Sequence, residues 1–186
     1  MDARVDGNRC TVALSAGSSL DVGSFGKGEA LYRVRTAIGE TSPWMIDFGG
    51  QVAVSSVSPD GTGWPVSIAH PQRRDTPAIS ITMTSGSLST SAGSERDLWS
   101  DGQRVGHILD PRTGEPTRFE GSVTVWSENG LAADALSTAM FAMGPSEGFH
   151  WAETRDVAAL FLVVSAGGAQ ERHATRAFSS CCLLRR

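Results

Sequence analysis

The sequence predicts an α+β fold, with a largely antiparallel sheet and two or three packed helices. Short segments that alternate apolar and polar residues recur along the chain, as half-buried strands do. Most are joined by turns too short for a parallel crossover. Only two or three stretches carry helical patterning. No internal repeat or low-complexity linker breaks the pattern, so residues 1–186 are expected to form one domain.

The elements follow in order. Residues 1–9 are polar and expected to fray, and residues 10–14 read as a strand. After a loop at 15–19, the glycine-spaced stretch 20–28 opens into a helix of about a dozen residues. Leu31, Val34 and Ile38 mark its expected buried face, and Gly39 its end. A strand at 44–48 is interrupted by Gly49 and Gly50 and resumes at 51–54, which suggests a bulge or a close ligand approach. Strands follow at 64–69, 78–84 and 87–91, and residues 92–103 read as a charged loop. Another strand is expected at 122–126, helices at 131–143 and 146–154, and the most hydrophobic strand at 157–165. Residues 174–178 are expected to pair with that strand, and the tail 179–186 shows no periodicity.

A chain of 186 residues can bury a sizeable core without staples. With 40% hydrophobic and 19% charged residues, it reads as an ordinary globular protein. A net charge of −4 and the absence of a basic stripe exclude the electrostatic footprint of a nucleic-acid binder. Three cysteines, Cys10, Cys181 and Cys182, make neither a disulfide framework nor a metal knuckle. No apolar run is long enough to span a bilayer, and residues 1–20 lack the pattern of a secretory signal. A complete chain of this kind is expected in the cytoplasm.

Three stretches carry residues suited to chemistry. Gly106-His107-Ile108-Leu109-Asp110-Pro111-Arg112-Thr113-Gly114-Glu115-Pro116 reads as a short strand running into a stiff turn. Pro111 fixes its own φ and Gly114 permits a left-handed position, so His107 and Asp110 project from fixed backbone. The loop from Asp21 to Gly28 sets glycines, Ser24 and Lys27 just before a helix N-terminus, where backbone N–H groups can face an anion. A tight turn with a solvated lysine reads equally well from the residues alone. On the helix at 131–143, Asp134 and Thr138 lie four apart on one face, two hard oxygen donors suited to Mg²⁺, flanked by small alanines. The same spacing also fits a solvated surface pair.

In order along the chain, these segments resemble the FAD:protein FMN transferases of the ApbE family. Asp21-Val22-Gly23-Ser24-Phe25-Gly26-Lys27-Gly28 is similar to that family's Asp-Leu-Gly-x-x-x-Lys-Gly loop. Ile46-Asp47-Phe48-Gly49-Gly50 resembles its x-Asn-Leu-Gly-Gly strand, and Leu88-Ser89-Thr90-Ser91 with Glu95-Arg96 its Ala-Thr-Ser…Glu-Arg segment. The stretch from Gly106 to Pro116 resembles its His-His-Ile-Leu-Asp-Pro-x-Thr-Gly-x-Pro signature, and residues 122–145 its metal-binding helix with the strand before it.

The resemblance covers about residues 10–165. It implies cleavage of FAD at the pyrophosphate, transfer of FMN to a threonine hydroxyl of a target protein, and release of AMP. Such a target could be a flavin-carrying subunit of a membrane redox complex. The alternatives are hydrolysis of FAD to FMN and AMP, or a non-catalytic flavin-binding module. The resemblance also implies Mg²⁺ on Asp134, Thr138 and the Ser24 backbone carbonyl. FAD contacts are implied from Asp21, Gly26, Lys27, Ser91 and Ile108, and a catalytic role for His107. Asp110 would either orient that histidine or cap the turn. The chain departs from the pattern at Gly106, Asp47 and Ser94, and the N-terminal part of the usual fold is expected to be missing. Family members are often exported or membrane-tethered.

Overall fold

The computed structural model describes residues 3–93, 98–100, 103–165 and 167–184. In chain order the strands are β1 (Ala3–Asp6), β2 (Thr11–Leu14), β3 (Met45–Phe48), β4 (Gln51–Val54), β5 (Trp64–Ala69), β6 (Pro77–Met83), β7 (Gly86–Ala92), β8 (Leu98–Ser100), β9 (Gln103–Val105), β10 (Gly121–Ser127), β11 (Ala159–Val164), β12 (Gln170–Ala174) and β13 (Leu183–Leu184). The helices are α1 (Gly26–Ile38), α2 (Gly130–Met143), α3 (Pro145–Thr154) and α4 (Arg176–Cys181). The expected α+β class holds: six strands form one sheet in the order β12-β11-β10-β7-β4-β3, with every neighbouring pair antiparallel. A second sheet runs β13-β6-β5, and β1-β2 and β8-β9 are separate hairpins.

Period-2 alternation sorts the side chains of the large sheet into two cores. Val123, Val125, Ala159 and Phe161 pack with Met140 and Phe141 of α2 and Ala152 of α3. On the other face Val52, Val54, Leu88, Leu160 and Leu162 pack with Trp64, Val66, Ile68, Ile79, Ile81 and Met83 of the small sheet, and with Phe178 of α4. The large sheet is thus a middle layer, held in register between helices and a second sheet. Helix α2 starts where the Asn129 side chain accepts hydrogen bonds from the Leu131 and Ala132 N–H groups, an N-cap of the strongest residue class.

Several expectations from sequence change. Residues 1–9 were expected to fray, yet Ala3–Asp6 pairs with Thr11–Leu14; a turn with Cys10 at φ 51 brings these two short strands together. Gly49 and Gly50 form no bulge. With φ 62 and 84 they make a two-residue hairpin turn joining β3 to β4, closed by the Asp47 carboxylate accepting from Gly50 N–H at 2.9 Å. The charged loop at 92–103 contains the β8-β9 hairpin; Ser94, Glu95 and Arg96 lie outside the described residues. Residues 107–108 are not a strand, because β9 ends at Val105 and only a single bridge, Leu109 to Pro116, follows. The partner of β11 is β12 at Gln170–Ala174; residues 176–181 are instead helical, capped by the Thr175 hydroxyl. The tail, expected to be irregular, adds β13 to the edge of β6.

Helix α1 begins at Gly26, inside the predicted loop, and buries only Gly28 and Leu31. Val34 and Ile38, expected to be buried, are 39% and 49% exposed. The helix meets its neighbours through its first turns, so its C-terminal half has no apolar layer to cover. None of the described helices is long and apolar enough to cross a membrane.

Two predictions follow from the packing. A Cβ on Gly28 would lie 2.3 Å from the Gly130 carbonyl oxygen and 2.7 Å from Asp134 Cβ, whereas one on Gly26 would meet Val22 Cγ2 at 3.4 Å. Gly28→Ala is therefore expected to cost about 1–3 kcal/mol in urea unfolding, as overpacking does. Gly26→Ala should be neutral or gain up to about 1 kcal/mol of helix propensity.

The second concerns the thiols. Cys181 Sγ lies 3.6 Å from Cys182 Sγ. This contact lowers the Cys181 pKa below the ordinary thiol value and, together with burial, raises that of Cys182. Iodoacetamide is expected to modify Cys181 at a lower pH than the exposed Cys10, and to spare Cys182, as read by peptide mass spectrometry.

Candidate active site

The site is built where α1 crosses α2. Two glycines, Gly28 and Gly130, let the backbones approach closely, and the Gly130 carbonyl accepts from Gln51 Nε2 at 2.9 Å. The crossing sets the first turn of α1 against Asp134. Gly28 N–H donates to Asp134 Oδ2 at 2.9 Å, and the Lys27 ammonium lies 3.5 Å from Oδ1. Asp134 is only 2% exposed. A carboxylate taken out of water is costly unless hydrogen-bonded and charge-matched, and these partners meet that need.

Strand β7 supplies the third wall. Its alternate residues Ser87, Ser89 and Ser91 face α2, and all three are buried. Ser87 Oγ accepts from Gln51 Nε2 and donates to the Val52 carbonyl, Ser89 Oγ donates to Asp134 Oδ1 at 3.2 Å, and Ser91 Oγ shares hydrogen bonds with Ser137 at 2.9 Å and Thr138 at 3.1 Å. A hydroxyl every second residue on one face is what a strand offers to a helix carrying polar groups at successive turns.

The turn after β9 forms the opposite rim. Asp110 Oδ1 accepts from Arg112 N–H at 2.9 Å, and its two oxygens take the Arg112 guanidinium from Nε and Nη2 at 2.9 Å each. Gly114 N–H returns to the Asp110 carbonyl at 2.7 Å, while Arg112 Nη1 reaches Glu147 of α3 at 2.8 Å. Of the two roles open for Asp110, capping the turn is the one its bonds describe.

Between these walls lies a cleft of about 690 Å³. Asp21, Ser24, Lys27, Ser91, His107, Ile108 and Thr138 line it, so seven of the ten residues singled out from sequence converge on one space. Ala135, Ala139 and Ala142 form the α2 side, where larger side chains would fill it. Three do not face the cleft. Asp134 lies behind Lys27 and Ser89, Gly26 is spent on the first turn of α1 through its bond to the Val22 carbonyl, and Asp110 holds the turn. Asp21 accepts from Gly23 N–H at 2.6 Å, which shapes the loop.

Sequence reasoning missed Ser89, Gln51 and the role of Gly28 as a donor. The repeated serine at 87, 89 and 91 in an otherwise buried strand was the available signal. The other histidines stand apart from the cleft: His70 Nδ1 accepts from Gln72 N–H, and His150 is exposed.

Among the described residues there is no cluster of three or more His, Cys, Asp or Glu side chains able to hold an ion. A cation here would rest on one carboxylate and neutral oxygens. Ser24 and Thr138 on the cleft wall, and the Asp134 carboxylate one helical turn before Thr138 and behind Lys27, are hard oxygen donors of the kind Mg²⁺ takes, with other positions left to water and phosphate.

A six-stranded antiparallel sheet with α2 and α3 on one face and a second sheet and α4 on the other, carrying a glycine loop, a buried carboxylate and a histidine turn around one cleft, defines an α+β protein suited to a phosphate-bearing ligand. The sequence model of the ApbE family matches residues 2–161, and the chain belongs to that family. A FAD:protein FMN transferase of Klebsiella pneumoniae is 33% identical over 165 residues, which cover 85% of this chain and 50% of that protein. One from Vibrio cholerae is 29% identical over 130 residues, covering 69% of this chain and 39% of that protein. The ApbE protein of Thermotoga maritima superposes with a TM-score of 0.81 at 32% identity, over 96% of this chain and 58% of that one. Apo ApbE flavinyl transferase of Pseudomonas stutzeri gives 0.77 at 28%, over 96% and 56%. The chain thus spans half or less of these two curated relatives.

The Asp110–Arg112 pair predicts a pH signature. Hydrogen bonds from Arg112 hold the Asp110 carboxyl below the usual carboxylate range. Because the folded value lies below the unfolded one, its contribution is fully present above ~3.9 and is lost as the pH falls through the folded value. Arg112→Ala should lower the melting temperature at neutral pH, and the difference from wild type should shrink as the pH falls through the folded Asp110 value. In carboxyl NMR titrations, the Asp110 pKa should rise toward the ordinary range in that variant, the backbone N–H of residue 112 still donating to it.

Proposed function

We propose that this chain binds FAD in the cleft between the Asp21–Ser24 loop, the Ser91 end of β7, α2 and the His107 turn, and transfers FMN to a threonine hydroxyl of a target protein with release of AMP. The observation that carries the proposal is the convergence of Lys27, Thr138 and His107 on one 690 Å³ cleft, with Asp134 buried behind Lys27. The names of the relatives support it. In the step proposed, the threonine oxygen bonds to the phosphorus of the FMN half as the bond from that phosphorus to the AMP oxygen breaks. AMP leaves with the electron pair, and the hydroxyl proton passes to the His107 imidazole. Phosphoryl transfer asks mainly for charge neutralisation and in-line positioning. Lys27 offers a point charge beside the pyrophosphate, and the N-terminus of α1 adds its dipole. Mg²⁺, held by Asp134, Thr138 and the Ser24 carbonyl, would neutralise phosphate oxygens.

A second reading, a module that holds FAD without transferring it, draws on one observation. Leu20 and Val22, beside the cleft loop, are 61% and 59% exposed, so that side of the site does not exclude water. Incubation with FAD, Mg²⁺ and an acceptor-threonine protein separates the readings. Transfer predicts in-gel flavin fluorescence on the target and stoichiometric AMP, lost in Asp134→Ala and reduced about 10²–10⁴-fold in His107→Ala. FMN and AMP formed at the same rate without acceptor mark hydrolysis. No product at all, where a full-length relative labels the target, rejects the proposal.

A further inference from the structure

We propose that Ser89 is a positioning residue for the ion site, sharing Oδ1 of the Asp134 carboxylate with Lys27 and holding its orientation so that one oxygen position stays open to a divalent cation. This inference rests on the flavin-transfer reading for the presence of the cation. An ionised carboxylate only accepts, at about four lone-pair positions. In the structure three are taken: Gly28 N–H on Oδ2 at 2.9 Å, and the Ser89 hydroxyl at 3.2 Å and Lys27 ammonium at 3.5 Å on Oδ1. One position is left, enough for a single metal bond.

The Gly28 N–H and the Ser89 hydroxyl project from a helix turn and a central strand, whereas Lys27 is a flexible cation whose ammonium makes the longest of the three contacts, 3.5 Å. Ser137 Oγ lies 3.4 Å from Ser89 Oγ but donates its single proton to the Asp134 carbonyl at 2.9 Å, and the Ser89 proton points at Asp134 Oδ1. Without that hydroxyl, Oδ1 has Lys27 as its one remaining partner. The carboxylate would then be free to turn and tighten its ion pair with Lys27, and the lysine would compete with the cation for the same negative charge. Ser89 is 1% exposed and does not line the cleft, so it acts through Asp134 and not on the ligand.

The probe is Mn²⁺, titrated into the purified chain in the presence of FAD and read from the free-ion EPR signal. Ser89→Ala is expected to weaken Mn²⁺ binding about 10- to 100-fold, as loss of an outer partner to a metal-binding carboxylate does. Ser89→Ala should lower the melting temperature only modestly, the loss of one hydrogen bond to a buried charge, and Ser89→Thr, which keeps the hydroxyl, should restore affinity. Unchanged binding in Ser89→Ala, with loss in Asp134→Ala, overturns the positioning role and leaves the flavin reading standing. Equal losses in Ser89→Ala and Ser89→Thr that track a fall in melting temperature also overturn it, since packing then explains the effect. A wild-type chain that binds FAD but no Mn²⁺ overturns the inference together with the metal part of that reading.

Discussion

The contact between the first turn of α1 and the Asp134 carboxylate is the constraint on which the rest of the site depends. It requires a glycine at 28, because any side chain there would strike the Gly130 carbonyl, and from the other side a Cβ at 130 would press on the Gly28 carbonyl at 3.0 Å. Given both, a buried carboxylate takes a backbone N–H on one oxygen and a serine hydroxyl and lysine on the other. Removing any one partner would leave a charge poorly compensated in a low-dielectric setting, which is why the arrangement is stiff.

That stiffness is transmitted by the layers. The large sheet presents Val123 and Val125 to the helices and Leu88 to the second sheet, so β7 and β10 cannot slip without exposing a core. With register fixed, Ser87, Ser89 and Ser91 stay opposite Gly130, Asp134 and Thr138. The β3-β4 hairpin adds to this from outside: its Gly49 backbone lies beside the Lys27 side chain, where a Cβ would meet Lys27 Cδ at 3.7 Å. Across the cleft, the Asp110 turn is fixed by Arg112 and tied to α3 through Glu147, which holds His107 and Ile108 at the rim.

Much of this was legible in the residues. Alternation located most strands, the apolar stretch at 131–143 located α2, and five ordered motifs pointed to the family and to most of the cleft. What escaped depended on tertiary context. The apolar spacing of Val34 and Ile38 implied burial, but a pattern cannot say whether a layer exists to cover it. Gly49 and Gly50 read as a bulge because a bulge and a two-residue hairpin share a glycine signal; strand pairing decides between them. The first strand, β1, and the β8-β9 hairpin are too short and polar to register as periodic. Ser89 escaped because a serine in a buried strand gains meaning only from the residue opposite, 45 positions away.

The most direct measurement is a crystal structure of this chain with FAD and Mn²⁺, using the manganese anomalous signal to place the ion. The account predicts a peak bonded to Asp134 and Thr138 and to a phosphate oxygen of FAD lying along Lys27 and the first turn of α1. A manganese peak away from Asp134, or FAD bound outside the cleft between Ser24 and His107, would contradict it.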